Sequence, residues 1–245
     1  MIPGHKEKSA AMKKGNKLYE GKAKIIYATD NPDLIIQYFK DDATAFNAAK
    51  KGTIADKGVM NNKISTKIFE FLTAKGVPTH FEKNLSDREM LVKKVEIVPL
   101  EVIVRNRAAG SLCRLLGLKE GTALASTVLE FCYKCDALGD PLINESHILA
   151  LKLATAEEVE TIRKYTLMIN ELLSKFFANL GLELIDFKLE FGRCKGKIIL
   201  ADEISPDTCR LWEIGTGKKL DKDRFRHDLG DIEEAYQEVL SRVNK

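Results

Sequence analysis

The chain has 245 residues, of which 31% are charged and 44% hydrophobic, with a formal net charge of +3. Length and composition fit a globular protein with one large domain or two lobes. The charge balance gives no reason to expect nucleic-acid binding, and no apolar run approaches the roughly 20 residues of a membrane-spanning helix.

Residues 1–16 carry several lysines but no apolar core, and are expected to be a disordered basic leader rather than a secretory signal. Five cysteines, an odd count with no secretory signal, point to a reducing cytoplasm. Cys132 and Cys135 form a lone CxxC with no second pair and no nearby histidine, and read as small core residues.

Residues 18–27, LYEGKAKIIY, predict strand, glycine turn, strand, with Lys22 and Lys24 on one face of the second strand. Glycine lets a backbone approach a phosphate, and two lysines spaced by two can point at it together. Alone, the pattern reads more readily as an ordinary hairpin with solvated lysines. A further strand, LIIQYF (34–39), leads into a polar loop over residues 40–47. Residues 60–75 have helical spacing, closed by Gly76 and Pro78. Residues 79–82 and 89–95 are predicted strands, with His80 read as a packed or surface residue rather than a ligand.

The apolar strand of residues 97–104 runs into Arg105, Arg107, Gly110 and Ser111, followed by a short helix over 112–118. An arginine fork beside a hydroxyl and free backbone N–H groups makes a plausible anion site; helix capping beside surface arginines is the alternative. Residues 128–134 predict a strand and 136–147 a loop. Thr155-Ala-Glu-Glu158 is a capping box opening a long helix closed by Gly181. A charged stretch over 213–226 precedes a C-terminal helix from Asp231.

Residues 184–212, LIDFKLEFGRCKGKIILADEISPDTCRLW, carry the strongest signal. Asp186, Lys188 and Glu190 alternate with apolar residues, the period of a half-buried strand. Gly192 to Gly196 is read as the turn of a hairpin. If Phe191 pairs with Lys197, Glu190 faces Ile198, Lys188 faces Leu200 and Asp186 faces Asp202, gathering carboxylates on one face. A magnesium ion would relieve their repulsion; a solvated face with Lys188 as counter-ion is the plainer reading. Asp207 and Arg210 in the following loop favour a site.

Residues 97–111 and 184–192, together with LYEGKAK, FKDDATAFN, DPLINESH, DEISPDTCRLW and LDKDRFR in order, resemble the phosphoribosylaminoimidazole-succinocarboxamide synthase (SAICAR synthetase) family from about Lys17 to the end. The resemblance implies an ATP-dependent ligase of de novo purine biosynthesis. It would join L-aspartate to the carboxylate of carboxyaminoimidazole ribonucleotide through an acyl phosphate, releasing ADP and phosphate. It implies an α+β, two-lobed fold. A kinase-like or ATP-grasp-like antiparallel sheet lobe (17–92) would hold ATP, and a larger lobe of mixed sheet and helices (93–245) would hold substrate and magnesium.

By position, the resemblance assigns Lys22, Ala23, Lys24 and Lys134 to ATP and Arg105, Ser111 and Arg210 to the ribonucleotide phosphate. Glu190 and Asp202 would be the magnesium ligands, and Asp186, Lys188 and Asp207 would lie near the reacting groups. It also implies a cytoplasmic homodimer without nucleic-acid or membrane partners. The rivals are a kinase-like small-molecule phosphotransferase, although no HRD-type base or DFG is present, and a noncatalytic nucleotide-binding module.

Overall fold

The computed structural model describes residues 12–45 and 49–245. The first sheet begins with β1 (Lys14–Glu20), turned at Gly21 into β2 (Lys24–Thr29), then β3 (Leu34–Phe39). A small hairpin of β4 (Asp42–Ala45) and β5 (Lys50–Thr53) leads to α1 (Lys57–Ala74), and β6 (Phe81–Asn84) and β7 (Glu89–Lys93) return to the sheet. Its order is β1-β2-β3-β7-β6, antiparallel throughout.

The second sheet starts three residues later with β8 (Glu96–Arg107). After α2 (Ser111–Leu116) come β9 (Ala123–Tyr133), β10 (Leu142–Ile143), α3 (Glu145–Ala150) and α4 (Ala156–Asn179). The long strand β11 (Leu182–Cys194) is followed by β12 (Lys197–Ala201), β13 (Cys209–Glu213), α5 (Asp223–Arg226) and α6 (Ile232–Val243). One edge of β11 pairs with β8 from Asp186 to Arg193. Along the other, β13 occupies Leu182 to Phe187 and β12 occupies Glu190 to Cys194. The loop from Asp202 to Thr208 fills the gap between them, where Lys188 N donates to Thr208 O at 2.9 Å.

The two sheets form the lobes of an α+β fold and share one apolar core. Phe39, Ile64, Phe69 and Val92 of the first half join Val102, Leu173, Leu189 and Tyr236 of the second. A single parallel bridge, Thr79 to Leu200, ties the edge of one sheet to the other.

Several expectations are corrected. The second sheet's strand pairings are all antiparallel, and the expected mixture of sheet and helices in this lobe is present; the differences lie in register and element bounds. The β11–β12 hairpin turns on two residues only, Lys195 (φ 49°) and Gly196 (φ 75°). Two successive left-handed residues make the turn whose twist suits a two-residue hairpin. Cys194 therefore pairs with Lys197, Phe191 with Leu200 and Glu190 with Ala201, a shift of three from the expected register. Residues 42–45 form a strand rather than loop, while Phe46 and Asn47 lie outside the described residues. Helix α1 starts at Lys57, behind a left-handed Asp56 with no side-chain cap, so it lacks the usual start signal. Helix α3 is hidden by its unusual capping box of Asn144 and His147. Of the expected leader, residues 1–11 lie outside the described residues, and β1 already begins at Lys14.

The Thr155–Glu158 capping box and the apolar stripe of α4 are as expected. Cys132 is buried on β9, and burial pushes its thiol up to about 11. His80 is packed, 3% exposed, with its ring against the edge of Phe69. Burial pushes its pKa down to about 3, against the pull of Asp202. The unfolded chain, with histidine near 6.5, binds the proton first, so stability falls as pH drops below about 6.5. We expect His80→Leu to remove about 2 kcal/mol of the stability difference between pH 6.5 and pH 5, read by urea denaturation at both pH values. An unchanged difference would mean that the buried imidazole does not drive it.

Candidate active site

Strand β11 supplies the axis of the site, because Asp186, Lys188 and Glu190 point to one face along it. Register with β8 sets their partners: Asp186 lies opposite Arg105, and Glu190 opposite Glu101. The second pairing places like charges against each other on a sheet, which is unfavourable unless compensated. Lys188 compensates it, donating to Glu190 Oε1 at 2.6 Å and Glu101 Oε1 at 2.8 Å. Lys134, just past β9, adds a second ammonium to Glu190 Oε1 at 2.9 Å.

Asp202 reaches the same face although the strand register alone would turn it away. It follows the last residue of β12 and adopts a left-handed conformation, φ 62°, which breaks the alternation. Its carboxylate contacts Lys24 and lies 3.9 Å from Lys188. Lys24 also reaches Glu203 at 2.8 Å. Three lysines, 24, 134 and 188, thus meet four carboxylates, 101, 190, 202 and 203. Burial alone would lower the pKa of Lys24 and Lys188. The surrounding acids outweigh it and hold both ammonium groups charged. Burial would raise Asp202, and Lys24 and Lys188 reverse this, keeping it below the usual carboxylate range.

The structure does not bring Lys22 into this cluster. Strand β2 begins only at Lys24, so Lys22 lies in the preceding bend, exposed and paired with Asp136 at 2.7 Å. Ala23 is half-buried beside it, its carbonyl accepting from Lys40 N.

The other end of the β11 face is an arginine cluster. Arg105 is 2% exposed and committed on every side. It donates from Nε to Glu130 (2.8 Å), from Nη1 to Asp186 (2.9 Å) and Ala109 O (3.2 Å), and from Nη2 to Ser111 Oγ (2.7 Å). Arg210 bonds Asp186 through Nη1 and Asp223 through Nε, and the two acids overcome burial to raise its pKa. A cavity of about 400 Å³ opens here, lined by Ser111, Arg114, Arg210 and Arg226 together with Asp186, Lys188 and Asp207.

Asp207 sits within a second set of bonds. Its Oδ2 accepts from Lys57, a lysine 1% exposed, at 2.9 Å, and its Oδ1 from Tyr236 at 2.7 Å. Lys222 stands 3.5 Å away. Burial would raise Asp207, but Lys222 and Lys57 hold it well below the ordinary range. This carboxylate joins α1, α6 and the loop before β13.

Sequence reasoning missed Glu101, Glu203, Glu130 and Lys57. Glu101 and Arg105 lie four apart on one strand face, a signal that was available. Lys57 gave none, because a buried lysine has no periodic signature. Among the described residues, no three carboxylate, histidine or cysteine side chains form a metal-holding group. A cation here would rest on one or two carboxylates and complete its shell with phosphate and water, which fits magnesium.

Gly110 is required where Arg210 crosses. It has φ +56°, and a Cβ there would stand 2.6 Å from Arg210 Nη2. Gly110→Ala is expected to lower stability by about 1–3 kcal/mol, measured by thermal denaturation; an unchanged midpoint would show that the guanidinium is free to move.

The family model for SAICAR synthetase matches residues 17–243. The phosphoribosylaminoimidazole-succinocarboxamide synthase of Clostridium kluyveri is 60% identical over 95% of this chain and 99% of its own. That of Clostridium botulinum strain Alaska E43 is 62% identical over 96% and 100%. Among solved structures, the Ehrlichia chaffeensis enzyme of the same name superposes with a TM-score of 0.92 at 50% identity, covering 94% of this chain and 98% of that one. A SAICAR synthetase in complex with ADP gives 0.89 at 46% identity, covering 92% and 96%.

Proposed function

The chain belongs to the SAICAR synthetase family, and we propose that the two charge clusters on the β11 face divide its reaction between them. It is an ATP-dependent carbon–nitrogen ligase of purine biosynthesis, joining L-aspartate to carboxyaminoimidazole ribonucleotide. The observation that carries the division of labour is the single face on which Asp186, Lys188 and Glu190 run from an arginine-lined cavity to a lysine-rich carboxylate cluster.

A carboxylate is a poor electrophile, so the ribonucleotide carboxylate takes the γ-phosphoryl group and ADP leaves. The aspartate amine then attacks the acyl carbon, and phosphate departs with the C–O bond electrons. Positioning and charge neutralisation supply most of what phosphoryl transfer between polyanions needs. Lys24 and Lys134 face the polyphosphate, with Lys22 and Ala23 at the turn beside it. Lys188, buried but held charged by Glu190, Asp202 and Glu101, neutralises the reacting carboxylate as an ammonium.

Glu190 and Asp202 are the residues that would hold magnesium, which when bound neutralises phosphate charge and polarises the transferring group. Both already carry ammonium partners, so these carboxylates become available as the polyphosphate draws the lysines away. Ser111 and Arg210, whose Nη2 is not committed to a carboxylate, bind the ribonucleotide phosphate. Arg105 fixes Asp186 and Ser111 around them. Asp207 orients the substrate through the loop it anchors. The proposed lobe division near residue 92 lies at the end of β7 (Glu89–Lys93), just before the second sheet begins at Glu96; most of the ATP contacts would come before it, with Lys134 reaching in from the second lobe beside the substrate and metal residues.

We further propose a cytoplasmic homodimer. Five unpaired cysteines fit a reducing compartment, and exposed Leu138, Leu142, Leu149 and Leu151 offer apolar surface for a second copy. No helix among the described residues is long and apolar enough to cross a membrane.

ADP release measured with ATP, magnesium and ribonucleotide, with and without L-aspartate, separates the ligase from a phosphotransferase. We expect ADP and succinocarboxamide in equal amounts, and release only when both substrates are present. ADP release indifferent to aspartate would favour the kinase-like reading. Arg210→Lys, which keeps the charge and loses the fork, is expected to raise KM for the ribonucleotide about 10- to 100-fold with KM for ATP nearly unchanged; equal effects on both would refute the phosphate role.

A further inference from the structure

Lys24 lies between two carboxylates that differ in kind. Asp202 stands in a left-handed turn with its side chain 21% exposed, and Lys188 is 3.9 Å from its other oxygen. The Glu203 side chain is only 4% exposed, and both of its oxygens are committed to the protein. Oε1 takes the Lys24 ammonium at 2.8 Å, and Oε2 takes the Ser205 hydroxyl at 2.6 Å. Ser205 is itself fixed, because its Oγ accepts from Asp207 N at 3.1 Å. The chain from Lys24 through Glu203 and Ser205 therefore runs to the carboxylate anchor that joins α1 and α6. None of the roles assigned above uses Glu203.

We propose that Glu203 is the positioning residue for Lys24, holding its ammonium in the cleft when Asp202 is given up and aiming it at the polyphosphate. This rests on the reading of Lys24 and Asp202 given above. A lysine side chain has four rotatable bonds and a strongly hydrated head, so an unanchored Lys24 would lose ordering freedom each time nucleotide bound. A buried anion with its second oxygen braced removes that freedom beforehand. The same burial keeps Glu203 from exchanging partners, because an uncompensated buried carboxylate is far less favourable than an uncovered Asp202 at the cleft. Of the two acids, then, Asp202 is the one released and Glu203 the one retained. The alternative is that Glu203 only ties down its loop through Ser205, in which case its loss would affect nucleotide binding independently of Lys24.

A double-mutant cycle separates these outcomes. ADP affinity in magnesium is measured by calorimetry for the wild type, Glu203→Gln, Lys24→Met and the double variant, with thermal melts to check folding. We expect each single change to weaken ADP about tenfold and the double variant to bind no more than about threefold weaker than Lys24→Met. Glu203→Gln binding like the wild type, or its loss multiplying fully with that of Lys24→Met, would overturn the proposal. Lys24→Met binding ADP like the wild type would instead remove the phosphate role of Lys24 and the proposal with it. Should Glu203→Gln fail to fold, Ser205→Ala keeps the Glu203 carboxylate and removes its brace, together with the bond from Asp207 N. It is expected to weaken ADP about two- to fivefold, and to have no effect when Lys24 is already methionine; an effect that persists without Lys24 would overturn the proposal.

Discussion

Two glutamates face each other across adjacent strands, Glu101 on β8 and Glu190 on β11, and the rest of the site depends on how that repulsion is relieved. The protein answers with Lys188, two residues along the same strand, whose ammonium bonds both. A buried ionic cluster of this kind is weak evidence for stability, since apolar residues of the same volume would often do better. Its presence is better explained by what it holds ready. Against burial, Lys24 and Lys188 hold Asp202 ionised and are themselves held charged, at the place where, on the proposed reading, a polyphosphate exchanges partners with them.

The same strand carries the second cluster. Asp186 receives both Arg105 and Arg210, so one carboxylate sets the spacing of two guanidinium groups. The gap on the far edge of β11, between the end of β13 pairing and the start of β12 pairing, admits the loop carrying Asp202, Glu203 and Asp207. Lys57 and Tyr236 grip that loop through Asp207 from α1 and α6. On the proposed reading, substrate contacts would thereby be coupled to packing between the two halves of the chain.

Much of this was legible in the sequence. The alternation of Asp186, Lys188 and Glu190 gave the strand and its charged face. The capping box at Thr155 gave the start of the longest helix, and the motifs in order gave the family. The register of the hairpin was not legible, because Gly192 to Gly196 offers several turns, and only the left-handed pair Lys195-Gly196 decides among them. Asp202 was placed on the right face for the wrong reason: strand parity would have turned it away, and its left-handed backbone turns it in. Lys22 was lost from the cluster because β2 begins two residues later than the alternation suggested. Lys57 was invisible because a single buried charge carries no period, and Glu203, although it stands beside Asp202 in the sequence, gave no sign of its role because its partner Lys24 comes from a distant part of the chain.

On the proposed reading, the site supplies its own counter-ions until nucleotide arrives. Lys24 and Lys134 pair with the carboxylates of Asp202 and Glu190, and in that reading the polyphosphate draws these two lysines off as a divalent cation takes up the carboxylate oxygens. The most direct measurement is a manganese titration followed by electron paramagnetic resonance, with and without ADP. ADP is expected to tighten manganese binding at least about tenfold beyond what ADP alone binds in solution. Equally tight manganese binding to the nucleotide-free protein would contradict it, because the carboxylates would then be open from the start.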